Sequence, residues 1–207
     1  MMKKILLMIC MLQISLVFAD NKENQEPEKI FTVRQATLND KDAMVEIRKK
    51  IENYFAAYSA VNSDDVIEQY VSRILSVGLA SGFGFVVEYQ NRVVAYSMKN
   101  RSIMGSCSHI LDQRNCSVDP DFRDDKLWVL LMEHLLQDIQ DHHPDILRVE
   151  EDISEDHTPI FEMVQELGFI QEGRRDKTYR RSDGSFAAEL LFVWFNPNFD
   201  ENYKKNN

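Results

Sequence analysis

The chain of 207 residues carries 24 Lys and Arg against 34 Asp and Glu, which gives a net charge of −10 at pH 7. Proteins that bind nucleic acid broadly present a basic surface, so this acidic balance argues against such a partner. The hydrophobic fraction of 44% is ordinary for a globular protein. The length suits one domain plus a tail, and such a chain can bury a sizeable core.

The first 19 residues have the pattern of a secretory signal peptide. Lys3 and Lys4 precede an apolar run over residues 5–18, and Ala19 supplies a small residue before the expected cleavage point. The run is shorter than the about 20 residues that a membrane span needs, so no stable span is expected after cleavage. The alternative is an uncleaved anchor or a misassigned start codon. The sequence predicts an exported protein, periplasmic or secreted, if the leader is cleaved, and a cytoplasmic one otherwise.

Three further segments follow the leader. Residues 20–30 are polar with one proline and predict a disordered linker, residues 31–195 predict one folded domain, and residues 196–207 are a polar tail. Hydrophobic periodicity, helix caps and turn residues define the elements of the domain. In chain order we expect a strand (30–36), helices opening at 37–40 and 63–65, a hairpin (83–88 and 92–98), a strand (109–118), a helix (125–141), a strand (146–151), a helix opening at 158–159 and a hairpin (169–179 and 186–195).

The predicted order is therefore β-α-α-β-β-β-α-β-α-β-β. Such an order favours an α/β fold of the mixed, α+β kind, in which a central sheet is flanked by helices. The hairpins make most neighbouring strands antiparallel, so the sheet is expected to be mixed and mostly antiparallel.

The strand, loop and helix over residues 118–136 form the motif around which the chain is organised. A helix N-terminus after a short loop presents free backbone N–H groups to an anion. Val118, Pro120 and Arg123 match, at the right spacing, the acetyl-CoA motif V-x-P-x-x-[QR]-x-x-G-x-[GA] of the GNAT acetyltransferase superfamily. Over about residues 31–195 the chain resembles this family, whose element order is the same. Lys126 and Trp128 stand at the two positions where the motif has small residues.

The resemblance implies that this loop holds the pyrophosphate of acetyl-CoA. The residues that it places there are Val118, Arg123, Asp124, Asp125, Lys126, Leu127 and Trp128. Glycine suits such a loop because it lets the backbone turn tightly and approach a phosphate closely. Asp124 and Asp125 would repel a pyrophosphate, which Arg123 and Lys126 offset in part, and Trp128 is bulky. The alternative is a loop that now serves only as a helix cap.

The resemblance also guides the choice of catalytic residues. In the family's second motif a tyrosine four residues before Gly168 is a frequent general acid, and an asparagine lies eleven before; this chain has Val164 and His157 there. Valine has no proton to give, and Tyr179 is the alternative donor. For the general base we rank Glu150 and Glu151 above Glu88 and Asp112, because their strand is expected to diverge from the preceding one around the acetyl group. Each of these acids could equally be a solvated strand residue.

Two functions remain open at this stage. One is an N-acyltransferase that moves an acetyl group from acetyl-CoA to an amine of a small molecule or protein by direct attack; the other is a GNAT-fold binding module without turnover. A basic cluster could contact an anionic acceptor or a CoA phosphate, or could be an exposed hairpin face; it comprises Arg174, Arg175, Lys177, Arg180 and Arg181. No spacing of Cys and His indicates a metal site. The sequence does not indicate an oligomeric state.

Overall fold

A computed structural model of the protein describes residues 29–55, 62–102, 105–181 and 183–203. The predicted leader and most of the predicted linker lie outside these residues. The chain separates into two units, Met1–Ile30 and Phe31–Asn207, and the second carries every element described below.

The described elements follow the predicted order. They are β1 (Thr32–Gln35), α1 (Lys41–Phe55), α2 (Asp64–Ser81), β2 (Gly84–Tyr89), β3 (Arg92–Arg101), β4 (Ile110–Val118), α3 (Leu127–His142), β5 (Arg148–Ser154), α4 (Thr158–Glu166), β6 (Ile170–Arg180) and β7 (Phe186–Phe195). The predicted α/β class is confirmed. Helix α3 begins two residues later than expected, because a 3₁₀ helix, Pro120–Asp125, takes up the residues in front of it.

The seven strands form one sheet in the order β1-β2-β3-β4-β5-β7-β6. Among the described residues β4 and β5 are parallel, and the other neighbouring strands are antiparallel. A parallel pair needs a crossover connection, which α3 supplies between β4 and β5. The sheet is therefore mixed and mostly antiparallel, as predicted.

Helices cover both faces of the sheet. On one face α3 buries Leu127, Leu131, Leu135 and Ile139, which are spaced four residues apart and form a continuous apolar stripe. On the other face, residues of α1 and α2 such as Met44 pack against β2 and β3. No helix in the described ranges is both long and apolar enough to cross a membrane.

Strands β4 and β5 separate part-way along their length. They pair only from Ile110 opposite Arg148 to Gln113 opposite Glu151. Beyond that point β4 continues beside β3 as far as Val118, and β5 continues beside β7 as far as Ser154. The sheet therefore opens between its two parallel strands, and this opening positions the candidate site.

Candidate active site

A cavity of about 540 Å³ lies where β4 and β5 diverge. Side chains from both diverging strands, from the start of α3 and α4 and from the β6–β7 hairpin surround it. They are Asn115, Cys116, Trp128, Glu151, Asp152, Ile153, His157, Ile160, Arg175, Tyr179 and Glu189. Within the described residues, no group of His, Cys, Asp and Glu could hold a metal ion.

Glu151 is one of two buried carboxylates that line this cavity, with 4% of its surface exposed; the other is Glu189. Side chains alternate along a strand, so Glu151 shares one face of β5 with the buried Val149 and Ile153. Burial disfavours the charged form and raises the pKa of Glu151 to about 7, against the opposing effect of Lys99. A group that titrates near neutral pH can accept and release a proton under ordinary conditions.

Lys99, which sequence reasoning missed, forms an ion pair with Glu151. Its side chain is completely buried on β3. Lys99 lies opposite Gln113, and Gln113 lies opposite Glu151, so the lysine reaches the carboxylate across β4. Burial lowers the pKa of Lys99, and the nearby Glu151 opposes that shift. The strand was expected to end at residue 98, and its continuation to Arg101 is what brings Lys99 into the sheet.

Glu150, the other proposed base, is directed away from the cavity. It lies on the face of β5 opposite Glu151, and its carboxylate is 2.9 Å from the Arg148 guanidinium. Arg148 also pairs with Glu172 of β6 at 2.7 Å. The described structure therefore brings one of the two neighbouring glutamates to the cavity and leaves the other in a partly exposed ion-pair network.

Tyr179, the proposed proton donor, lies on the cavity wall formed by β6. Its hydroxyl donates a hydrogen bond to Oε1 of Glu189 at 2.7 Å, and Arg175 donates to Oε2 at 2.8 Å. The register of β6 against β7 shifts between Arg175 and Tyr179, where Lys177 has a φ of +59°. Burial and the hydrogen bond to Glu189 both raise the pKa of Tyr179, so its hydroxyl keeps its proton at neutral pH.

Most of the basic cluster on β6 is engaged with carboxylates. Arg174 pairs with Glu155 at 2.8 Å, Arg181 pairs with Asp156 at 2.7 Å, and Arg175 is held by Glu189. Arg174 and Arg181 therefore join the hairpin to the turn that follows β5, whereas the pair of Arg175 and Glu189 lies within the hairpin. An anionic ligand at this surface would have to compete with ion pairs that are already formed.

The loop before α3 has a left-handed residue where the sequence motif has its first glycine. Lys126 has φ +53° and ψ +28° and is the N-cap of α3, with no side-chain hydrogen bond to the helix. The Leu130 N–H donates to the Lys126 carbonyl at 3.1 Å, so the N–H groups of Leu127, Trp128 and Val129 precede the helical hydrogen bonds. The backbone therefore adopts a glycine-like turn without glycine and leaves a helix N-terminus that suits an anion.

The other predicted loop residues are distributed around this turn. Arg123 and Lys126 are exposed, whereas Leu127 is buried in the core and Val118 packs against that core. The side chains of Asp124 and Asp125 lie outside what the structure describes. Trp128 is half-buried: it packs against the core and also lines the cavity.

A buried aspartate that sequence reasoning missed fixes the start of the loop. Asp119 is completely buried and contacts Lys50 Nζ at 3.0 Å and the Arg92 guanidinium. It also accepts a hydrogen bond from the Asp121 backbone N–H at 3.1 Å. These contacts tie the end of β4 to α1 and β3 and so define where the 3₁₀ helix begins.

Comparison with solved structures identifies the fold. No family model matches the sequence, and no curated protein matches it. The ribosomal-protein-S18-alanine N-acetyltransferase from Escherichia coli matches with a TM-score of 0.62 at 16% identity, over 84% of this chain and 98% of the other. An acetyltransferase of the GNAT family from Streptococcus pneumoniae gives 0.66 at 13% identity, over 80% and 99%. The chain has the GNAT fold.

A third GNAT structure holds the acyl donor. The phosphinothricin acetyltransferase from Sinorhizobium meliloti, solved in complex with acetyl-CoA, matches with a TM-score of 0.67 at 14% identity, over 82% of this chain and 90% of the other. At such identities the likeness concerns the fold, so the site must be judged from this chain's own residues.

At two positions of the second GNAT motif this chain has residues of a different type from those of the motif. Val164, at the tyrosine position, is completely buried in the core. His157, at the asparagine position, is the N-cap of α4 and lines the cavity. Of the positions considered for a proton donor, Val164 lies in the core, whereas His157 and Tyr179 line the cavity.

Proposed function

We propose that the protein is an N-acetyltransferase that moves an acetyl group from acetyl-CoA to an amine of a small molecule or protein. The observation that carries the proposal is Glu151, a buried carboxylate with a pKa of about 7 in the cavity between the diverging strands of a GNAT fold. Solved structures with this fold include N-acetyltransferases, and one of them contains acetyl-CoA.

The loop before α3 supports the binding of acetyl-CoA. The turn at Lys126 and the N–H groups of residues 127–129 offer the donors and the positive helix end that a pyrophosphate requires. Arg123 and Lys126 are exposed beside them and add positive charge. Trp128 is the feature that fits least, because its indole occupies the first turn of the helix.

Bound acetyl-CoA supplies a thioester, at whose carbonyl carbon the amine nitrogen forms a C–N bond while the C–S bond breaks. Backbone N–H groups of β4 near Val118 would be available to donate to the carbonyl oxygen, since among the described residues the pairing of β4 with β5 ends at Gln113. Glu151 accepts a proton from the incoming ammonium. The nitrogen loses two protons in all. The first leaves through Glu151, and the second replaces the proton that the Tyr179 hydroxyl gives to the departing thiolate, so that both side chains return to their starting state.

A binding module without turnover is the second candidate. Two observations favour it: the buried Val164 replaces the family's proton donor, and Trp128 stands in the first turn of α3. In this function the same cavity would hold a CoA derivative or an amine without reaction.

We expect acetyl-CoA at 100 times its Kd to raise the free energy of unfolding by about 2.7 kcal/mol. The measurement is a thermal-shift titration with ADP as the control, followed by thiol release in the presence of a panel of primary amines. Stabilisation together with turnover supports the transferase, and stabilisation without turnover supports the binding module. No stabilisation at millimolar acetyl-CoA contradicts the transferase and favours a module that binds another ligand.

The loop also allows a test of which replaced small residue limits binding. We expect Lys126→Gly to leave the Kd of acetyl-CoA within about threefold, because Lys126 already has the left-handed backbone. Trp128→Ala should lower the Kd about tenfold by clearing the first turn, and should lower the free energy of unfolding by about 1–3 kcal/mol because the indole is only half-buried.

Leu130→Ala is the matched control, since Leu130 is half-buried on the same helix and packs against the same core. It should lose comparable stability without any gain in affinity. Weaker binding by Trp128→Ala, measured by isothermal titration calorimetry, would mean that the indole contacts the ligand instead of obstructing it.

A further inference from the structure

A completely buried lysine, Lys99, contacts the carboxylate that the proposed function uses as its proton acceptor. Its backbone N–H donates to the Phe83 carbonyl at 3.0 Å, which fixes this part of β3 beside the end of α2. Its ammonium is directed across β4 to Oε1 of Glu151. Lys99 does not line the cavity, whereas Glu151 does, so the lysine contacts the carboxylate from within the protein.

Other charged and titratable groups surround the pair. From β4 these are Asp112 and Cys116, from β5 Asp152, from α4 His157, and from the β6–β7 hairpin Arg175, Tyr179 and Glu189. Asp152 is a like charge and raises the pKa of Glu151. Arg175 is held by Glu189 at 2.8 Å. Of the cations in the described part of the chain, Lys99 is the one that contacts Glu151.

We propose that Lys99 is a positioning residue whose ammonium keeps the Glu151 carboxylate in the cavity in the charged form that a proton acceptor needs. The proposal rests on the proposed function, because it concerns the same carboxylate. Without the ammonium, burial and Asp152 both favour the protonated acid. Glu151 would then enter the neutral pH range already carrying a proton and could not take one from an ammonium.

The direct test is the titration of the Glu151 carboxyl carbon by NMR on ¹³C-glutamate-labelled protein, with Glu151→Gln to assign the signal. We expect Lys99→Met to move its midpoint upward by about one pH unit or more. Lys99→Arg retains the charge and should keep the midpoint near that of the unchanged protein. Arg101→Met is the control, because it breaks the next ion pair along β3, with Asp145, and should not move the midpoint.

The same variants then give a pH–rate profile with the amine that the panel identifies. The acid limb of kcat/KM should move upward in Lys99→Met in step with the carboxyl midpoint, so that activity falls about tenfold near pH 7 and recovers at higher pH. A lysine with only a structural role would lower activity equally at every pH. Near-normal kcat/KM across this pH range in Lys99→Arg would also show that the charge of Lys99, and not its packing, is responsible.

The two proposals fail in distinguishable ways, because the carboxyl titration needs neither acetyl-CoA nor an acceptor. An unmoved midpoint in Lys99→Met overturns the role of Lys99, whatever the activity. A moved midpoint in a protein that acetylates no amine supports Lys99 as the group that holds Glu151 charged and contradicts the transferase. If Lys99→Met does not fold, Lys99→Gln retains a hydrogen-bond donor without the charge and should give the same upward shift.

Discussion

Lys99→Met is expected to lower the free energy of unfolding by about 3–5 kcal/mol at pH 7, because it leaves Glu151 buried and unpaired. The loss should depend on pH in a defined direction. Below about pH 7 the folded state of both proteins keeps Glu151 largely protonated, so the loss should change little with pH there; it should grow as the pH rises from about 7, the folded pKa of the unchanged protein, toward the higher folded pKa of the variant. Urea denaturation at several pH values measures it.

The double variant Lys99→Met with Glu151→Leu should recover most of this stability. Each single change leaves one buried polar group without its partner, whereas the double change replaces a buried ion pair by apolar side chains of similar size. We expect the free energy of unfolding of the double variant to lie within about 2 kcal/mol of that of the unchanged protein. If instead the two single losses simply add, the side chains do not act as a pair and the cycle contradicts their assignment.

Arg101 and Asp145 provide the comparison for this cycle. Their ion pair begins on the same strand but is partly exposed, with 25% and 12% of the two side chains accessible. Water can therefore compensate for a lost partner, and Arg101→Met should cost clearly less than Lys99→Met. The contrast tests whether burial, and not the mere presence of an ion pair, makes the Lys99–Glu151 contact critical.

The order of elements could be predicted because its signals are local. Hydrophobic spacing in α3, caps before α1 and α2 and the turn residues of the hairpins each depend on a few neighbouring positions. The opening between β4 and β5 was expected from the family resemblance, and the strand pairing bears it out. Long-range register was not available from the sequence, and the contacts of Lys99 and Asp119 depend on it.

The choice between Glu150 and Glu151 was partly available in the sequence. Val149, Glu151 and Ile153 are at alternate positions along β5, which places that glutamate on the apolar face once the strand is recognised.

The backbone conformation of Lys126 could not be predicted from the sequence. A lysine at a glycine position predicts an altered loop, yet its backbone adopts the left-handed conformation that glycine favours, at a local cost in backbone strain.

Glu151→Gln is expected to lower kcat/KM for acetyl transfer by about 10²–10⁴ at neutral pH, because glutamine cannot accept the proton of the incoming ammonium. The matched control is Glu150→Gln, one residue away on the opposite face of the same strand, where the carboxylate pairs with Arg148 outside the cavity. It should leave kcat/KM within about twofold. The variants are first shown to unfold cooperatively. Their kcat/KM values are then compared by thiol release with the amine from the panel.

The pH dependence of this loss distinguishes a proton acceptor from a packing role. As the pH approaches the pKa of the amine, an increasing fraction of the acceptor arrives without its extra proton and needs no base. The loss of kcat/KM in Glu151→Gln should therefore become smaller as the pH rises. A loss caused by a disturbed cavity would instead stay the same at every pH. Equal losses of kcat/KM in Glu150→Gln and Glu151→Gln would contradict a special role for the glutamate in the cavity. Full activity in Glu151→Gln would contradict Glu151 as the proton acceptor and assign proton removal to water or to another cavity residue such as Asp152.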